Sequence, residues 1–159
     1  TVIGTVGSEE KAELARTHGC HHPIVYTRQD FTAEVERITD GRKLPVVYDS
    51  VGRDTFMKSL DCLRPRGLMV SFGNSSGPVD PFPPAILAQK GSLFLTRPTM
   101  YHYMASREEL EGAAAELFEV VGSGKVKIEI GQRFPLKDAA EAHRQLEARR
   151  TTGSTVLTV

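Results

Sequence analysis

Asp49-Ser50-Val51-Gly52 and Phe72-Gly73-Asn74-Ser75 are the residues of this sequence best suited to hold a ligand. Each run is small, polar and rich in accessible backbone. Each also follows an apolar stretch, Val46-Val47-Tyr48 in one case and Leu68-Met69-Val70-Ser71 in the other. A buried strand that ends in such a turn before a helix is how an open α/β sheet presents ligand-facing residues at the carboxyl ends of its strands. Two such units in succession open both turns on one edge of a parallel sheet. Ser50, Val51, Phe72, Gly73, Asn74 and Ser75 suit a flat cofactor lying across that edge, and Arg97-Pro98-Thr99 repeats the pattern after a later strand. Asp49 has no His or second acid beside it in sequence, so it reads as a turn-capping carboxylate rather than a general acid.

An earlier turn, Thr5-Val6-Gly7-Ser8, differs in charge. In dinucleotide-binding folds the corresponding strand end usually carries Asp or Glu, which holds the ribose hydroxyls and repels a 2′-phosphate. No acid stands at that strand end here. Gly7, Ser8 and Lys11 offer backbone N–H groups at a helix start, a hydroxyl and a cation, which together make an anion site. Glu9 and Glu10 weigh against it unless their side chains face solvent, and an ordinary N-capped helix accounts for the stretch equally well. Tyr26, at the end of the next strand, can stack on or hydrogen-bond to the same end of a nucleotide; as an isolated aromatic it also reads as core. Cys20, His21 and His22 lie together, but no acid or further histidine follows at metal-ligand spacing.

The elements that must position these residues alternate. Strands are expected at 1–6, 23–26, 45–48, 68–72 and 92–96. Helices are expected at 9–18, at 31–38, from 56 to about 65, and briefly at 84–89; a polar, proline-rich loop covers 73–84. Strand and helix in alternation predict a parallel sheet with crossovers. Beyond Thr99 the pattern changes. Ser106 caps a longer helix with Leu110, Ala113, Ala114, Leu117, Phe118 and Val121 on its apolar side, residues 126–130 alternate like a half-exposed strand, a helix covers 139–149, and 155–159 is strand-like. This tail reads as part of a different sheet.

Bulk composition narrows the function classes. Lys+Arg and Asp+Glu balance at 20 each among 159 residues, which argues against a nucleic-acid or membrane-surface binder. No apolar run approaches the roughly 20 residues of a membrane helix. The two cysteines, Cys20 and Cys62, are far apart and outside any C-x-x-C, so a reducing, cytoplasmic setting is the expectation. The sequence opens on Thr1 in mid-strand, as a fragment of a longer protein would.

The combined motifs resemble the C-terminal half of a medium-chain dehydrogenase/reductase, in the zinc-free NADPH:quinone oxidoreductase (zeta-crystallin-like) branch. The resemblance is carried by Gly4-Thr5-Val6-Gly7-Ser8 with Lys11, Tyr48-Asp49-Ser50-Val51-Gly52, the run from Ser71 through Phe72-Gly73-Asn74-Ser75-Ser76 to Gly77, Gln89-Lys90-Gly91-Ser92, Thr96-Arg97-Pro98 and Phe134-Pro135-Leu136-Lys137-Asp138. It implies a doubly wound, Rossmann-like α/β fold. Residues 1–99 would be an incomplete NADPH-binding domain, and 100–159 a helix and return segment to a catalytic domain. It further implies that Gly7, Ser8 and Lys11 hold the 2′-phosphate end of NADPH with Tyr26 adjoining, and that Ser50 and Val51 lie along the adenosine. Phe72, Gly73, Asn74 and Ser75 would lead to the nicotinamide, near Arg97, Pro98 and Thr99, with Arg150 reaching in from the tail. The implied reaction is hydride transfer to a quinone with no metal and no acid–base pair in this half. Strand 92–96 is the expected sheet edge, and pairing with its copy in a homodimer is expected there. Enoyl reduction and a non-catalytic, crystallin-type NADPH binder are the rival expectations. The sequence departs from the family in having no G-x-G-x-x-G. The first strand and Gly-rich loop of the fold are therefore expected to be lacking, leaving unpaired edges on the strands near Val2 and Val46.

Overall fold

The structure is a computed structural model and describes residues 1–159. The chain forms two compact units, Thr1–Thr99 and Met100–Val159. In the first, strand and helix alternate: β1 (Ile3–Val6), α1 (Glu9–Thr17), β2 (His22–Val25), α2 (Phe31–Ile38), β3 (Leu44–Asp49), α3 (Phe56–Asp61), β4 (Leu63–Ser71), α4 (Ala85–Gln89) and β5 (Phe94–Thr96). Local chemistry starts the helices. The Ser8 hydroxyl accepts the Lys11 N–H at the head of α1, and the Asp30 carboxylate accepts the Thr32 N–H at the head of α2.

All pairings in this unit are parallel, as alternation requires, and they fall into two sheets, β1-β2 and β3-β4-β5. Thus β1 is bonded only to β2, and β3 only to β4; each keeps one unpaired side. The sheets nevertheless share a core. Ile3 of β1, Ile24 of β2, Val35 of α2, Cys62, and Leu44 and Val47 of β3 pack into one apolar cluster. A second cluster, Phe56, Leu60, Leu63, Met69 and Leu93, seats α3 and the polar loop on the larger sheet. Burial lifts the Cys62 thiol to about 11, with neighbouring Asp61 adding to the shift.

Two element boundaries differ from expectation. Helix α3 stops at Asp61 and β4 begins at Leu63, five residues early. Leu63 pairs with Leu44 and Leu68 with Val46, so the intervening residues form a bulge. Pro65, which cannot donate to a ladder, is accommodated there, and Arg66 adopts a left-handed φ of 59°. Edge strand β5 starts at Phe94 rather than at residue 92, because Ser92 takes a positive φ.

The second unit contains α5 (Met100–Tyr103), α6 (Arg107–Gly122), β6 (Ile130–Pro135), a 3-10 turn (Leu136–Asp138), α7 (Ala139–Glu147) and β7 (Ser154–Thr158). A reciprocal capping box between Ser106 and Glu109 starts α6, and those bonds hold the Glu109 carboxyl below the usual range. Strand β6 pairs in parallel with β7, as a sheet of its own. The alternating residues Val126 and Ile128 are not in it and stay exposed. Alternation specifies a strand only where a partner bonds it, and β7 pairs from Ile130 onward. Residue Phe118 on the apolar side of α6 is 72% exposed. No helix is long and apolar enough to cross a membrane.

Candidate functional site

Asp49 fixes the first of the strand-end turns. It is only 4% exposed. Its Oδ1 accepts the N–H groups of Val51 at 2.8 Å and Gly52 at 3.0 Å, and its Oδ2 accepts the hydroxyls of Thr55 and Ser59, each at 2.7 Å. Burial pushes its pKa up, but the bonds from Gly52, Thr55, Ser59 and Val51 outweigh it and the net shift is downward. A carboxylate held ionised by four donors is an anchor for the turn. It has no free lone pair aimed at a substrate, in line with the turn-capping reading.

The turns after β3 and β4 are bonded into one ledge. Register pairs Asp49 with Ser71 and Val70 with Thr96, so the carboxyl ends of β3, β4 and β5 align. Beyond the strands, Ser75 N–H donates to Ser50 O at 3.2 Å, and Ser76 N–H and hydroxyl both donate to Val51 O at 2.8 Å. Gly73 permits this closeness, because a Cβ there would stand 2.4 Å from Ser50 O. Gly52 adopts φ 90°, and a Cβ there would stand 2.6 Å from Gly77 O, so it too must lack a side chain. Arg97 Nη1 donates to Ser71 O at 2.8 Å and so is tied to the end of β4. Ser50, Phe72, Asn74 and Ser75 are exposed on the ledge, Val51, Gly73, Pro98 and Thr99 are partly buried, and the Phe72 ring meets Tyr48 edge-on at 6.4 Å.

A second group forms where β1 and β2 end side by side. Val6 pairs with Val25, and Tyr26 N–H donates to Val6 O at 3.1 Å. The Tyr26 phenol oxygen lies 3.2 Å from where a Cβ on Gly7 would be, and the Thr27 hydroxyl donates to Gly7 O at 3.2 Å. Gly7, Ser8, Lys11 and Tyr26 therefore share one corner, with Ser8 engaged as the cap of α1. Glu9, which counted against an anion site, is exposed and ion-paired with Arg28 at 2.7 Å. Arg150 belongs to the second unit, just past α7, where its N–H donates to Gln145 O. His21 Nδ1 accepts the Val2 N–H, and no three His, Cys, Asp or Glu side chains cluster as metal ligands would.

Sequence reasoning gave no role of their own to Thr27, Arg28 and Ser76. Their signal was position alone: Thr27 and Arg28 follow a strand-end aromatic, and Ser76 lies in the turn already singled out.

The zinc-binding dehydrogenase family profile matches residues 18–157. The chain belongs to the zinc-binding dehydrogenase family. Among curated members, a quinone oxidoreductase of Pseudomonas aeruginosa is 56% identical over 156 residues, covering 98% of this chain and 48% of that protein. A 2-haloacrylate reductase of a Burkholderia species is 50% identical, over 99% of this chain and 47% of that protein. The chain thus spans about half the length of the curated relatives it matches. Among solved structures, Escherichia coli quinone oxidoreductase complexed with NADPH superposes with a TM-score of 0.94 at 50% identity, covering 98% of this chain and 49% of that one. The identity to quinone oxidoreductases and the superposition on the Escherichia coli structure bear out the expected resemblance and the Rossmann-like α/β class.

Proposed function

We propose that the gene product reduces a quinone with NADPH, zinc-independently, and that residues 1–99 are its cofactor-binding part, with 100–159 returning to a catalytic domain. The observation carrying this reading is the ledge of bonded strand-end turns, together with a strand end that carries no acid and has Lys11 one turn on, in a chain 56% identical to a quinone oxidoreductase.

The residues present fit a nicotinamide dinucleotide. Gly73 and Gly52 bring two turns flush, so a flat molecule meets backbone rather than side chains. Ser50, Asn74 and Ser75 supply polar contacts along it, and Val51 and Phe72 supply apolar faces. At the corner, Gly7, Ser8 and Lys11 would hold the 2′-phosphate, with Tyr26 over the adenosine end. Arg97, tethered to Ser71 O, would stand with Pro98 and Thr99 towards the nicotinamide, and Arg150 would approach from the tail. Bound NADPH supplies a hydride, which with one proton from water completes the two-electron reduction of a quinone to a hydroquinone. This chain's residues contribute by fixing position; we assign no catalytic acid or base to it.

A second reading, reduction of an activated carbon–carbon double bond, is favoured by the 50% identity to a 2-haloacrylate reductase. Steady-state assays of the intact gene product decide between them. NADPH oxidation that depends on a quinone, and persists after dialysis against a chelator, is the expected result. Turnover of 2-haloacrylate or an enoyl thioester with none of quinone supports the second reading, and NADPH binding without turnover on either leaves a non-catalytic binder. We also propose a homodimer formed by pairing of β5, the edge of its sheet, with its copy; Phe94 and Leu95 are exposed there. A monomer by sedimentation at micromolar concentration contradicts it. A cytoplasmic location suits the two unpaired cysteines, and cell fractionation tests it.

A further inference from the structure

Glu9 opens the first turn of α1, between Gly7 and Lys11 in sequence. Its carboxylate accepts from Arg28 Nη2 at 2.7 Å, and the two side chains are 65% and 64% exposed. Arg28 follows Tyr26 by two residues, and Thr27 between them bonds Gly7 O. The ion pair therefore spans the turns after β1 and β2, around the same corner as Gly7, Ser8, Lys11 and Tyr26. Four charged side chains belong to it: the acids Glu9 and Glu10, and the cations Lys11 and Arg28.

As a contribution to stability, an exposed pair of this kind is worth little. Its electrostatic effect on a ligand is larger. An anion brought to Gly7, Ser8 and Lys11 meets the Glu9 carboxylate within the same helical turn, and a phosphate monoester carries about −1.5 to −2 charges at neutral pH. Arg28 ties that carboxylate down and cancels its charge. We infer, resting on the NADPH reading above, that Arg28 is a specificity-determining positioning residue: by holding Glu9 it keeps the corner open to the 2′-phosphate. NADH carries no such phosphate, so the effect is confined to NADPH. Cofactor preference in this chain then depends on an arginine that acts through an acid, in addition to the lysine.

Equilibrium titration of the intact gene product with NADPH and NADH tests this without reference to turnover. Arg28→Gln is expected to weaken NADPH about five-fold while leaving NADH within about two-fold, with the difference shrinking as salt is raised to about 0.5 M. Adding Glu9→Gln to Arg28→Gln should restore NADPH binding to near the wild-type value, because the acid needing a partner is gone. Arg28→Lys should retain most of the preference. An unchanged NADPH-to-NADH ratio in Arg28→Gln overturns the inference, and so does a double variant that stays as weak as the single one. Failure of the parent reading looks different: the wild-type protein then shows no preference for NADPH over NADH, and Lys11→Glu changes nothing.

Discussion

Replacing Asp49 with Ala should remove about 2–6 kcal/mol of folding stability, measured by urea unfolding of the intact gene product. The substitution strands two fixed backbone donors, the N–H groups of Val51 and Gly52, and deprives two hydroxyls of their acceptor. A buried donor left without a partner costs roughly 1–3 kcal/mol, and the hydroxyls of Thr55 and Ser59 can turn elsewhere, so the two N–H groups dominate. Asp49→Asn keeps an oxygen for those two donors and should lose about half as much. A loss below about 1 kcal/mol for Asp49→Ala would contradict the anchoring role. The pH dependence follows from the downward shift of Asp49. A carboxyl whose folded pKa is depressed contributes stability in full above its unfolded value of about 3.9. That contribution is lost as pH falls through the lower, folded value. The stability gap between wild type and Asp49→Asn should accordingly close below about pH 4.

Lys11→Glu should weaken NADPH binding by roughly 30- to 150-fold and NADH by less than about three-fold. The estimate takes a two-charge swing next to a phosphate, screened as at a protein surface, as about 2–3 kcal/mol. The selective loss distinguishes an electrostatic role from a structural one, since Lys11 is also a residue of α1 and a damaged helix would affect both nucleotides. Equal loss of both, or of neither, removes Lys11 from the site. Together with the titrations of Arg28 and Glu9, this separates the cation that meets the phosphate from the cation that restrains an acid.

Most of the architecture was legible because its signals are local. Ser8 and Ser106 announce helix starts by chemistry that acts over three residues, and Phe31, Val35 and Ile38 mark one face of α2. Asp49 could be read as an anchor from the want of a His or second acid beside it in sequence. What escaped depends on partners distant in the chain. The early start of β4 follows from the pairing of Leu63 with Leu44. Residues Val126 and Ile128 alternate without a strand to bond them. The Glu9–Arg28 pair joins the head of α1 to the loop after β2, which sequence periodicity does not relate. The exposure of Leu110, Leu117 and Phe118 on the apolar side of α6 is likewise a property of their surroundings, which no single helix pattern encodes.

Where the phosphorylated end of the cofactor rests is tested most directly by a crystal structure of the intact gene product with NADPH. The expected map has the 2′-phosphate against Gly7, Ser8 and Lys11, with the Tyr26 ring beside the adenosine and the dinucleotide running over Ser50, Gly73 and Asn74. An adenine end bound elsewhere, with the Lys11 ammonium turned into solvent, would contradict it.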